Sequence, residues 1–306
     1  MRRWLAVCLI PVAVLAVGRP GVSARSQGTD KTVFVAVTDA AGKPLTDLKV
    51  NEFAVREDNV NREVVGVKPA TQPLYLYLLA DTTRQAGNNG MMGRATSSGG
   101  TELIRDIRGS LTDAIRALYK LQPEAQTALM EFGQAAITVT KFTNKVQDLE
   151  RGINRLYPKP EAGSVILEAM IEASKQLSKA PSPRRAIITL NIEPGEEESR
   201  QEPKKLWESL RDSGVNLWSV SVQTGQLRNP NRDVVLNELT KLTGGRREFQ
   251  IGPSAIKNAM VLFAETLASQ YELTYKRPDS SANVQMLQVG TTRPGSKTHA
   301  TYFAPK

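Results

Sequence analysis

The chain has 306 residues, 40% of them hydrophobic, and a formal charge of +9. That length holds one large domain with a small one beside it, or two of medium size. A single cysteine, Cys8, and a single histidine, His299, argue against a disulfide framework, cysteine-ligated metals, histidine-based triads and multi-histidine zinc sites.

Met1 to Ala24 reads as a secretory leader. Arg2 and Arg3 form its charged start, Trp4 to Val17 its apolar stretch, and Val22-Ser23-Ala24 a small-residue cleavage site. The apolar stretch is short for a spanning helix, so a retained anchor is the lesser alternative. Cleavage after Ala24 removes Cys8 together with Arg2, Arg3 and Arg19, which lowers the charge from +9 by three to +6. That charge is modest, and no basic stripe interleaved with aromatics is present, so nucleic acid is not an expected partner. The expectation is a secreted or periplasmic protein with no stable membrane span.

Arg25 to Asp30 is a polar spacer. Thr32–Thr38 is β-branched and aromatic, as strands are. Asp39 to Pro44 supplies turn residues, Ala54–Glu57 a second strand, Asp58-Asn59 a turn and Arg62–Lys68 a third strand. Three short strands predict a small β unit over 25–70.

From Leu74 strands alternate with helices. Leu74 to Ala80 is apolar without alternation, the pattern of a strand buried on both faces of a parallel sheet. It ends at Asp81-Thr82-Thr83, where open α/β sheets place their ligands. Ala86 to Gly100 is rich in glycine and small polar residues and predicts a flexible loop. It lacks the Gly-Lys-Ser/Thr ending of a phosphate-binding turn. Leu103, Ile107, Leu111, Ala114, Ile115 and Leu118 mark an amphipathic helix over 102–121. Gln126–Phe132 and Ala136–Phe142 predict a hairpin turning at Gly133. A helix follows from Val146 to Leu156, and another runs from Ile166 to Leu177 after the loop Ala162-Gly163-Ser164. Arg185–Ile192 is a second buried-type strand, and helix is expected over 196–212. Then come a strand over 215–222, helix over 233–242, a short strand over 247–251, helix over 255–269 and the strand Tyr271–Tyr275. A final β hairpin is expected within 283–302. His299, on this last strand, is expected at the surface. The fold class is therefore α/β, a doubly wound, mostly parallel sheet with helices on both faces. The layout expected is leader 1–24, small β unit 25–70, α/β domain 71–277, and a C-terminal β hairpin, 278–306, packed on that domain.

Leu78-Leu79-Ala80-Asp81-Thr82-Thr83 at the end of a central strand resembles the opening of a von Willebrand factor A-type domain. The stretches GKPLTDLKVNEFAVRED (42–58), ASQYELTYKRP (268–278) and RPGSKTHATYF (293–303) are similar to secreted bacterial proteins of this kind, common among acidobacteria. The resemblance spans nearly the whole chain after the leader. It implies a metal-ion-dependent adhesion site, in which Asp-x-Ser-x-Ser, a Thr and a further Asp on three loops hold Mg²⁺ through hard oxygens. Asp81 matches the first aspartate, Thr83 the first serine and Ser164 the threonine. These three are the metal-ligand candidates. Gln85 stands where the second serine belongs and offers only a neutral amide oxygen. Pro194 stands where the third-loop aspartate belongs, with Glu193 beside it as a carboxylate that could reach in. The resemblance thus implies a degenerate site with weak or no Mg²⁺ dependence, or a remnant in which Asp81 caps its own loop.

The function expected is a non-enzymatic module that recognises an unidentified protein partner through Asp81, Thr83, Gln85, Ser164 and Glu193. A hydrolase using Asp81 and Glu193 is the runner-up, since paired carboxylates with separated proton affinities do acid–base work. A structural envelope component without a discrete site is the third reading.

Overall fold

The computed structural model describes residues 28–83, 98–159, 163–193, 197–223, 230–279 and 284–305. The leader, Gln85 and the glycine-rich stretch through residue 97 lie outside the described residues.

Four strands open the chain: β1 (Gly28–Thr38), β2 (Phe53–Glu57), β3 (Val60–Arg62) and β4 (Val64–Pro69). Asp58 and Asn59 turn β2 into β3 with left-handed φ of 46° and 66°, a conformation that Asp and Asn adopt more readily than most residues. The single strand expected over 62–68 is interrupted at Glu63. Its first part pairs with β2, and its second crosses to another sheet.

The central sheet follows. Its strands are β5 (Tyr75–Asp81), β6 (Gln126–Phe132), β7 (Ala136–Thr143), β8 (Arg185–Glu193), β9 (Asn216–Gln223) and β10 (Arg247–Gln250), in the spatial order β10-β9-β8-β5-β6-β7. All neighbours are parallel except the β6–β7 hairpin at one edge. The unbroken apolar run of β5 divides between two cores. Leu76, Leu78 and Ala80 pack with α1 (Ser98–Leu121), α2 (Val146–Asn154) and α6 (Pro253–Ala268). Tyr77 and Leu79 pack on the other face with α3 (Ile166–Ser178), α4 (Pro203–Ser213) and α5 (Pro230–Leu242). Burial on both faces removes the polar alternation that a half-exposed strand would show. The helix expected over 196–212 begins only at Pro203, a first-turn proline preceded by Glu202 in extended conformation. Glu197 is thereby left outside the helix, bridged to Ser164.

The last strands, β11 (Tyr271–Pro278), β12 (Leu287–Thr291) and β13 (Lys297–His299), correct the expected layout. β11 lies between β1 and β4, and β13 extends that sheet on the far side of β1, in the order β13-β1-β11-β4. β12 joins β2 and β3. The two sheets enclose Val33, Val35, Val37, Phe53, Val55, Tyr271, Leu273, Tyr275 and Leu287. Boundaries at 70/71 and 277/278 are thus crossed by strand pairing, and the final hairpin is split between two sheets. The alternating inward residues of β11 supply the missing side of a β core that β1 to β4 cannot close alone. No helix among the described residues is long and apolar enough to cross a membrane.

Candidate functional site

Asp81, Ser164 and Glu193 come together at the carboxyl end of the central sheet, and all three are buried. Asp81 ends β5. Its Oδ1 accepts hydrogen bonds from the Thr83 amide at 2.9 Å and the Thr83 hydroxyl at 2.6 Å, and its Oδ2 accepts from the Ile192 amide at 3.0 Å. Asp81 therefore caps its own loop and ties it to the end of β8. Thr83 is half-buried, its hydroxyl committed to Asp81.

Ser164 follows Gly163, where a Cβ would meet the Glu198 carboxyl carbon at 2.0 Å, and the Glu198 amide donates to the Ser164 carbonyl at 2.8 Å. This close approach brings Glu197 to the site. Glu193 ends β8. Its Oε1 accepts from Asn191 Nδ2 at 2.8 Å and pairs with Arg247 Nη2 at 3.0 Å.

At the centre of these groups stands a residue that the motif did not point to. The guanidinium of Arg232, in the first turn of α5, is 1% exposed. Nη2 donates to Ser164 Oγ at 2.5 Å and lies 3.5 Å from Asp81 Oδ2. Nη1 donates to the Ile192 carbonyl at 3.0 Å and lies 3.7 Å from Glu193 Oε2, while Nε lies 3.3 Å from Glu197 Oε2. Burial pushes the Glu193 carboxyl above its ordinary range despite the pull of Arg232 and Arg247. Burial likewise raises Glu197, against hydrogen bonds from Ser199 and the charge of Arg232.

With Arg232 in place the donor set does not fit a divalent ion. The oxygens of Asp81, Ser164, Glu193 and Glu197 already surround a guanidinium. Among the described residues, no group of three or more His, Cys, Asp or Glu is arranged to hold a metal. Of the five sequence candidates, the fold unites Asp81, Thr83, Ser164 and Glu193; Gln85 lies outside the described residues. Sequence reasoning missed Arg232, Glu197, Asn191 and Arg247. One signal was available for Arg232, because a cation in the first turn of a helix opposes the macrodipole and needs carboxylates to hold it.

The rim of the mouth is more open. Lys159 is hydrogen-bonded through its amide to the Thr82 carbonyl at 2.7 Å. Its ammonium lies 3.2 Å from Glu131 and 3.8 Å from the centre of the Tyr157 ring, which is 56% exposed.

No protein-family model matches the chain, and no curated protein matches it. Among solved structures it is similar to proximal thread matrix protein 1 of the mussel byssus, determined with a zinc-occupied metal-ion-dependent adhesion site. The TM-score is 0.50 at 13% identity, over 69% of this chain and 49% of that one. The fold is von Willebrand factor A-like. A von Willebrand factor type A protein from Catenulispora acidiphila gives a TM-score of 0.47 at 10% identity, over 92% of this chain and 76% of that one. The von Willebrand factor A domain of SpRpn10 gives 0.44 at 11%, over 61% and 94%. At these identities the likeness concerns the fold alone. The chain spans about half the length of the mussel structures it matches.

Proposed function

We propose that the protein is a secreted or periplasmic adhesion-type module that binds another protein at the mouth of its central sheet. It acts without catalysis and without dependence on a metal. One observation carries this reading: Asp81, Ser164 and Glu193 come from three separate segments and converge at the carboxyl end of parallel strands, where folds of this class present ligands. Their burial makes them the frame of the mouth, and the rim residues Tyr157 and Lys159 its contact surface. The same burial disfavours the hydrolase reading. Asp81 and Glu193 both face the Arg232 guanidinium, and neither is open to a substrate.

The test is a photo-crosslinking amino acid placed at Tyr157, and separately at Met286. Met286 is 50% exposed and lines one cleft with Arg185 and Asn216, the first residues of β8 and β9, at the opposite end of the sheet. In the native envelope, a discrete adduct from position 157 and none from 286 is the expected result. Equal labelling from both positions, or none from 157, would refute the reading.

A further inference from the structure

We propose that Arg232 is the resident cation of this site. Its guanidinium takes the place that a divalent ion would occupy, so the mouth is assembled permanently and without metal. Arg232 thus makes the adhesion-type mouth constitutive, an inference that rests on the adhesion-type reading for its meaning.

Carboxylates from the end of β5, the end of β8 and residue 197, the hydroxyl of Ser164 and the carbonyl of Ile192 all face one buried side chain. Hard oxygens gathered from three loops are the donors a small dication prefers. Here a planar cation with a permanent charge stands among them instead, hydrogen-bonded to Ser164 Oγ and the Ile192 carbonyl and ion-paired with the three carboxylates. A free ion must be stripped of tightly held water and fills its site only at sufficient concentration. Arg232 is weakly hydrated, and its place in α5 holds it at the site at any ion concentration.

The arginine also contradicts its local surroundings. A first-turn cation is disfavoured by the helix dipole, and a fully buried charge is costly unless it is paired. Both costs are offset only because Asp81, Glu193 and Glu197 surround it. Removing the guanidinium should therefore leave a buried acidic cavity whose natural occupant is a divalent cation. Arg247 stays paired with Glu193 and Asp233, at 3.0 and 2.6 Å, and anchors the far side of that cavity.

The test uses the mature protein, with melting temperature and Mn²⁺ binding as readouts, neither of which needs a partner. A failed crosslink at Tyr157 would therefore leave this inference standing, and a wild type that binds Mn²⁺ would leave protein binding at the mouth standing while removing its metal independence. The wild type should melt at the same temperature in EDTA and in millimolar Mg²⁺ or Mn²⁺, and electron paramagnetic resonance should detect no stoichiometric Mn²⁺. Arg232→Ala should melt lower in EDTA. Either ion should raise it again, by about 5–10 °C at a hundredfold excess over its Kd, and adding Asp81→Asn should abolish that response. A wild type that binds one Mn²⁺ per chain would overturn the assignment. So would an Arg232→Ala protein as stable in EDTA as the wild type, or one destabilised yet indifferent to both ions. Should Arg232→Ala fail to fold, the wild-type Mn²⁺ measurement decides alone: none bound supports the proposal, one equivalent defeats it.

Discussion

Replacing the single histidine should remove a defined part of the protein's sensitivity to acid. His299, on β13, was expected at the surface and is buried instead. Its ring lies 5.0 Å from that of Trp218, and its Nε2 shares a 3.1 Å hydrogen bond with the Thr38 hydroxyl. Burial pulls its pKa from 6.5 down to about 4, helped by the nearby charges of Arg246 and Lys297. Between those two values the unfolded chain binds a proton that the folded chain refuses, so acidification favours unfolding. At about 1.4 kcal/mol for each tenfold change in proton affinity, the loss approaches about 3 kcal/mol by pH 4. Glu193 and Glu197, with their raised pKa values, act in the opposite sense as the pH falls toward 4.5. They are common to wild type and variant and cancel in the difference. Urea unfolding of wild type and His299→Gln at a series of pH values isolates the histidine. The two stabilities should converge as the pH drops from 7 to 4, because only the wild type carries this loss. In protein without added histidines, one imidazole signal in the proton spectrum should titrate well below 6. Parallel stability profiles, or a titration near 6.5, would refute the burial argument.

Arg184 is 1% exposed and donates to the carbonyls of Ala70, Gln72 and Leu267 and to the side chains of Gln122 and Gln270. Arg184→Met orphans these acceptors where the α/β layer meets the β unit, and should cost about 3 kcal/mol in chemical denaturation; a loss below about 0.5 kcal/mol would contradict that role. A Cβ on Gly245 would meet the Leu217 carbonyl oxygen at 1.9 Å, so Gly245→Ala should destabilise by about 3 kcal/mol, while Gly290→Ala, with open space around it, should change little. Burial raises the Glu57 carboxyl, but hydrogen bonds from Arg277 and Tyr275 outweigh it and leave the pKa below 4.5. Its contribution is thus present above pH 4.5 and lost as the pH falls further. Glu57→Gln should cost about 3–5 kcal/mol at pH 7 and less in acid, and a loss independent of pH would show that shape rather than charge is at work.

The central strand was legible because double-sided burial writes itself as an unbroken apolar run, and β5 reads that way up to Asp81. The helices on either face were legible for the related reason that one buried stripe leaves apolar residues three and four apart, as in α1. The start of α4 was misplaced because the acids at 196–198 resemble a helix first turn, while Pro203 is what begins it. The partners of β11, β12 and β13 were not legible. Any two alternating strands can pair, and nothing local marks one that reaches back across the chain to β1 or β2.

By its sequence alone this protein specifies which segments become helix or strand, which faces of them avoid water, and that a carboxylate ends the innermost strand. These properties depend on neighbours a few residues apart. Which cation that carboxylate meets was decided only when α5 packed beside β9 and β10 and carried Arg232 in among Asp81, Ser164, Glu193 and Glu197. Charges distant along the chain find one another through the packing of the elements that carry them, and a buried charge leaves no periodic trace in the sequence around it.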